Sequence, residues 1–160
     1  MPRFVRDNNP VGRLATGEEV YDRPGRVNRV PHHLLVEALA KVNSGGPRDS
    51  RSIVDFGRVI GKNNLVETFP GDRIIYARRQ RQNRMSRFVG NRLPEPCSTV
   101  VLFLSRRSKG YVLGDAYIGN LAEPETDSPN ATPESAAFWK THALVWGSEF
   151  TVPGSEIVEP

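Results

Sequence analysis

At 160 residues the chain matches the size of one ordinary domain, about 100–150 residues. Hydrophobic residues make up 38% of it and charged residues 25%; its longest apolar run, Val100 to Leu104, is far short of the ~20 residues a membrane-spanning helix needs. The lone cysteine, Cys97, excludes an internal disulfide and a cysteine-rich zinc site.

The expected organisation is a single domain over 1–160, with an irregular arm at 1–30, a core at 31–146 and a tail at 147–160. The first residues, MPRFVRDNNP, have no apolar h-region, so a cytoplasmic protein is expected, or one delivered into a target cell. From Arg29 to Asn43 the spacing predicts a helix. Pro31 suits the first turn, and Leu35, Ala38, Leu39 and Val42 recur at i, i+3, i+4, i+7. Asn43, Ser44, Gly45 and Gly46 are the stop signal.

From Ser52 to Gly119 the pattern changes to short segments rich in Val, Ile, Phe and Tyr: SIVDFGRVI, NNLVETF, DRIIYARRQ, MSRFVG, CSTVVLFLS and YVLGDAYIG. Turn residues separate them, among them Pro70-Gly71 and Lys109-Gly110. The latter marks the strongest hairpin, Val100–Ser105 returning as Tyr111–Tyr117. VVLFL reads as a central strand buried on both faces. Short connections predict antiparallel pairing. A polar loop spans 120–133. Thr132 as N-cap and Pro133 in the first turn then predict a second helix, with Trp139, His142, Ala143 and Trp146 on one face. The tail reads as frayed or as an edge strand. The fold class is therefore α+β: an N-terminal helix, a twisted antiparallel sheet of four to six strands, and a C-terminal helix.

Charge is unevenly placed. Only four of the 22 basic residues are lysines (41, 62, 109 and 140) and the other 18 are arginines. Residues 1–113 hold 21 basic and 10 acidic side chains, whereas 114–160 hold one basic and eight acidic. Arginine's planar fork of donors grips phosphate oxygens in pairs, so a basic body suggests a polyanionic partner. The densest segment, Arg73 to Arg92, carries seven arginines (73, 78, 79, 81, 84, 87, 92) and no acid. Alternation on an extended strand places Arg73, Arg79 and Arg81 on one face and Arg78 on the other, with Arg87 emerging beside the first group. That face suits a nucleic-acid backbone, with Tyr76 or Phe88 as a stacking surface for a base. A solvated hairpin edge kept from aggregating by its arginines is the plainer reading.

Among the three histidines, His32 and His33 fall on the first helical turn and read as a surface pair. His142, between Trp139 and Trp146, reads as a hydrogen-bonded rim residue or a general acid/base. Asp115 and Tyr117, two apart on the last strand, share a face. GRVIGKNN lacks the P-loop spacing, and there is no HExxH, GxGxxG or GxSxG. No metal site and no cofactor are expected.

The runs FGRVIGKNNLVET, DRIIYARRQRQNRMSRFV, VVLFL with YVLGDAYIG, and ESAAFWKTHALVW resemble, in pattern and order over about 31–146, the barnase–EndoU–colicin–RelE-like ribonuclease superfamily. The resemblance implies metal-independent RNA cleavage of a bacterial or phage toxin type. It would use Arg78, Arg81 and Arg87 on the scissile phosphate, with Arg73 and Arg79 beside them as substrate-binding residues and Arg81 counted among the catalytic groups. His142 and Tyr117 would be the acid/base groups, and Ser86 or Thr99 a positioning hydroxyl. The implied partners are RNA and an acidic immunity or antitoxin protein, with no membrane. Two alternatives stay open: a non-catalytic RNA- or protein-binding module on the same arginine face, and an accessory protein whose acidic carboxyl segment docks on its basic body.

Overall fold

A computed structural model describes residues 9–26, 28–43, 49–80 and 84–159. The sequence-derived single domain resolves into two compact units: Met1–Gly61 with Cys97–Asn120, and Lys62–Pro96 with Leu121–Pro160. Each is assembled from two stretches of chain, so sequence neighbours do not reveal the partition. The class is α+β and sheet-rich, with two helices among the described residues.

In the first unit a five-stranded sheet runs in the order β1 (Gly12–Arg13), β2 (Glu19–Asp22), β10 (Gly110–Ile118), β9 (Thr99–Arg107) and β3 (Asp49–Asp55). Strand numbers follow the chain, with β4 (Gly61–Asn63) and β8 (Glu95–Cys97) forming a separate two-stranded ribbon. Helix α1 (His32–Leu39) buries Leu34, Leu35, Ala38 and Leu39, the stripe the sequence spells. They share one core with Val100, Leu102 and Leu104 of β9 and with Leu113 and Ala116 of β10. Each buried Leu or Val among them contributes roughly 1.5–3 kcal/mol on burial. At Gly12, where β1 meets the helix, an added Cβ would lie 2.9 Å from Leu39 Cδ1 and oblige that side chain to shift.

The second unit holds a sheet of order β12 (Ile157–Val158), β6 (Ile74–Arg79), β7 (Arg84–Val89), β11 (His142–Val145) and β5 (Leu65–Glu67). Helix α2 (Pro133–Thr141) starts where expected, with Thr132 as N-cap and the Thr132 N–H donating to Ser135 Oγ at 3.0 Å. No helix among the described residues is long and apolar enough to cross a membrane.

Several expectations are corrected. Two strands precede α1 in what reads as an irregular arm, and strands follow α2, so neither helix is terminal in the fold. The sheets are mixed: β2 pairs parallel with β10, and β7 parallel with β11. Short loops predict only neighbours in sequence. Both parallel pairs join strands remote in the chain, where no loop constrains direction. The helix that was to carry Trp139, His142, Ala143 and Trp146 on one face ends at Thr141. His142 opens β11 instead, and the tail does supply an edge strand, β12. Helix α1 is shorter than the predicted Arg29–Asn43, and the Ser44–Gly46 stop lies outside the described residues.

Candidate functional site

Hairpin β6–β7 pairs Tyr76 with Arg87, Ala77 with Ser86, Arg78 with Met85 and Arg79 with Arg84. Residues opposite one another in an antiparallel ladder point to the same face. Arg87 therefore shares a face with Arg78, Tyr76 and Met85, not with Arg79 as alternation along β6 alone suggests. The hairpin register, which decides this, cannot be read from either strand singly.

Arg79 faces the other way and is held by acids. Its Nη2 lies 2.6 Å from Glu125 Oε2 and its Nη1 3.3 Å from Glu149 Oε1. Ser86, 1% exposed, donates its hydroxyl to the other Glu125 oxygen. A carboxylate buried as Glu125 is (8% exposed) needs such compensation. Asp127 Oδ2 accepts from the Met85 N–H at 3.1 Å. The acidic carboxyl segment thus docks on the arginine hairpin, and Arg79 and Ser86 serve the architecture. Arg92 does likewise: its guanidinium donates to the Glu67 carbonyl at 2.7 Å and meets Asp72 at 3.2 Å and Glu95 at 3.1 Å. Arg73 and Arg78 are exposed and Arg84 is half-buried, while Arg81 lies outside the described residues.

On the opposite face, Arg87 Nη1 donates to Thr68 Oγ1 at 3.2 Å and to the His142 carbonyl at 3.0 Å. The guanidinium is fixed by these bonds beside a cavity of about 230 Å³ lined by Tyr76, Met85, Arg87, Glu125, Trp139 and Lys140, among others. Trp139 is oriented by its Nε1–H, which donates to the Glu123 carbonyl at 3.0 Å. The Tyr76 hydroxyl donates to Glu159 Oε1 at 3.1 Å. Two cations, one carboxylate and two aromatic side chains thus border one concavity. Of the stacking candidates, Phe88 is fully buried, edge-on to Trp146 at 5.3 Å, and Tyr76 remains accessible.

His142 caps the end of α2. Its half-buried ring stacks on Phe138, with centroids 4.0 Å apart and planes 3° apart. Its Nδ1 lies 3.0 Å from the Phe138 carbonyl and 3.0 Å from Thr141 Oγ1. A carbonyl only accepts, so this bond puts the neutral ring's hydrogen on Nδ1 and leaves Nε2 as a lone-pair acceptor.

Tyr117 and Thr99 belong to the first unit. Thr99 Oγ1 donates to the Gly119 carbonyl at 2.7 Å, and the Arg29 guanidinium lies 5.7 Å from the Tyr117 ring centroid. Of the residues singled out from sequence, Arg87 shares a sheet face with Arg78 and bonds the His142 backbone carbonyl, with Arg79 and Ser86 turned to the opposite face. Sequence reasoning missed Glu125 as a buried anchor and Lys140 as a cavity residue. Lys140's isolation as the one basic residue after position 113 was the available signal. Comparison of the chain with protein-family models, curated proteins and solved structures finds no match.

Proposed function

We propose that the chain is a metal-independent, toxin-like endoribonuclease that uses the cleft of the second unit. The observation that carries the reading is the Arg87 guanidinium, anchored by the Thr68 hydroxyl and the His142 backbone carbonyl at a cavity that Lys140 also lines. RNA supplies its own nucleophile. His142 Nε2 would take the proton from a 2′-OH, and that oxygen would bond the adjacent phosphorus. The P–O5′ bond would break, leaving a 2′,3′-cyclic phosphate and a 5′-oxygen that takes a proton from water, while His142 later returns its proton to solvent. Arg87, with Lys140 and the exposed Arg78, would stabilise the phosphorane oxygens as preorganised charge; a positioned acid/base contributes typically 10²–10⁴-fold. Trp139 and Tyr76 would hold a base. An acidic immunity or antitoxin protein would compete for the same cations.

The test is incubation of purified full chain with total RNA and excess chelator. Cleavage with cyclic-phosphate ends supports the reading, and intact RNA at high enzyme concentration removes it. A non-catalytic RNA-binding module is the second reading. It is favoured by Glu125 holding Arg79 and Ser86, which commits both to the architecture. Salt-sensitive binding without product would establish it.

A further inference from the structure

The first unit carries a second candidate nucleic-acid surface, on the sheet face opposite α1. Register fixes its members. Arg51 of β3 pairs with Phe103 of β9, Ile53 with Val101, Asp115 of β10 with Phe103, and Tyr117 with Val101. A shift in register between Leu113 and Asp115 re-aims the strand. Leu113 faces the core, and beyond the bulge Ala116 faces it, so Asp115 and Tyr117 emerge on the outer face. Phe103 and Tyr117 sit 6.2 Å apart between ring centroids, tilted by 35°. The Arg29 guanidinium lies 5.7 Å from the Tyr117 centroid and is held by both Asp115 oxygens at 3.0 Å. Arg51 is exposed and Ile53 is 56% exposed, while Val101 between the rows is fully buried. Arg107 follows on the same face of β9, opposite Gly110.

We propose that this face binds single-stranded RNA by base stacking, independently of whether His142 cleaves. Two half-buried rings and an anchored guanidinium plane give flat surfaces that any base can stack on. Arg51 and Arg107 supply the charge that tracks phosphates, and Arg29, paired with Asp115, supplies a guanidinium plane. Charge distribution agrees: the first unit has thirteen basic and eight acidic residues, the second nine and ten. The arginine hairpin is locally basic within a unit that is close to neutral overall, whereas the surplus positive charge lies with the unit that carries the aromatic face.

The test measures binding of a fluorescent single-stranded 2′-O-methyl oligomer, which keeps bases and phosphates but has no free 2′-OH to be cleaved, beside an abasic oligomer of equal length. Phe103→Leu and Tyr117→Leu should each weaken binding of the base-bearing oligomer about tenfold and leave the abasic one unchanged, with Tyr117→Phe retaining affinity. Equal losses on both oligomers, or none, overturn the proposal. A readout on the unaltered protein guards against misfolded variants: 4-thiouridine photo-crosslinks should map to peptides holding Phe103 or Tyr117, and crosslinks confined to Lys62–Pro96 and Leu121–Pro160 contradict it. The 2′-O-methyl oligomer reads binding without any cleavage, so failure of cleavage and failure of this surface are told apart.

Discussion

Arg79 and Arg87 sit on the same hairpin but face opposite ways, and their partners assign them different work. Arg79 meets two carboxylates with its side chain 11% exposed, opposite a Glu125 side chain 9% exposed. Removing one partner of such a pair strands the other without compensation, so Glu125→Ala should lower unfolding free energy by about 3 kcal/mol, read by urea denaturation. Arg79→Met with Glu125→Leu, made together with Ser86→Ala, should restore most of that loss, because it leaves no buried pair or hydroxyl without a partner. A triple variant no more stable than Glu125→Ala would show that the loss has another source. Arg87 is tied only to a hydroxyl and a carbonyl, which keeps its positive charge uncompensated by those partners. Arg87→Ala should therefore cost only about 1 kcal/mol of stability while depressing RNA affinity or cleavage far more, and the two are separated by denaturation beside an activity assay.

Elements explain what the sequence discloses and what it hides. The α1 stripe, the β9–β10 hairpin and the start of α2 were legible because each rests on local chemistry: a 3.6-residue period, a Lys109-Gly110 turn, and a Thr132-Pro133 start. Ser135, fully buried and accepting from the Thr132 N–H, caps α2, so Ser135→Ala should cost about 1 kcal/mol in the same denaturation assay. The end of α2 was illegible. His142 continues an apolar helical period, and only pairing of His142–Leu144 with Leu65–Glu67 turns it into a strand. The parallel pairs were hidden for the same reason, and so was the bulge that sets where Tyr117 points. Of the site, the composition of the hairpin was legible, but which arginines are held by acids was not, since Glu125 and Glu149 lie far along the chain.

Acid sensitivity belongs to the connections around α1 and β3. The Arg58 guanidinium, at 3.1 and 2.9 Å from the two Glu37 oxygens, holds that carboxyl below its usual range. The Gly57 N–H, at 2.9 Å, and the Ser98 hydroxyl do the same for Asp55. A carboxylate with a depressed folded-state pKa contributes stability above its ordinary value, near 4, and loses it as pH falls through the depressed one. Stability should therefore fall between about pH 5 and 3, and Glu37→Gln should flatten part of that slope. Asp55 is exposed and Glu37 only half-buried beside an exposed Arg58, so the effect is small. An identical slope in the variant would remove Glu37 from the explanation.

At the scale of the whole molecule, each unit closes around strands distant in sequence: Val20 pairs with Tyr111, and Phe88 with Leu144. Such non-local topology predicts refolding in milliseconds to seconds, slower than helical proteins of similar size, which stopped-flow refolding can check. The charge halves seen along the chain do not correspond to the units, because the acidic carboxyl segment folds onto the arginine hairpin. The most direct measurement is the rate of RNA cleavage in excess chelator by the unaltered chain, by His142→Gln and by Arg87→Ala, with 2′,3′-cyclic phosphate ends quantified. A cleft acting as described gives cyclic ends with the unaltered chain and at least a hundredfold slower cleavage (order of magnitude) in His142→Gln. Equal rates in all three proteins would contradict it.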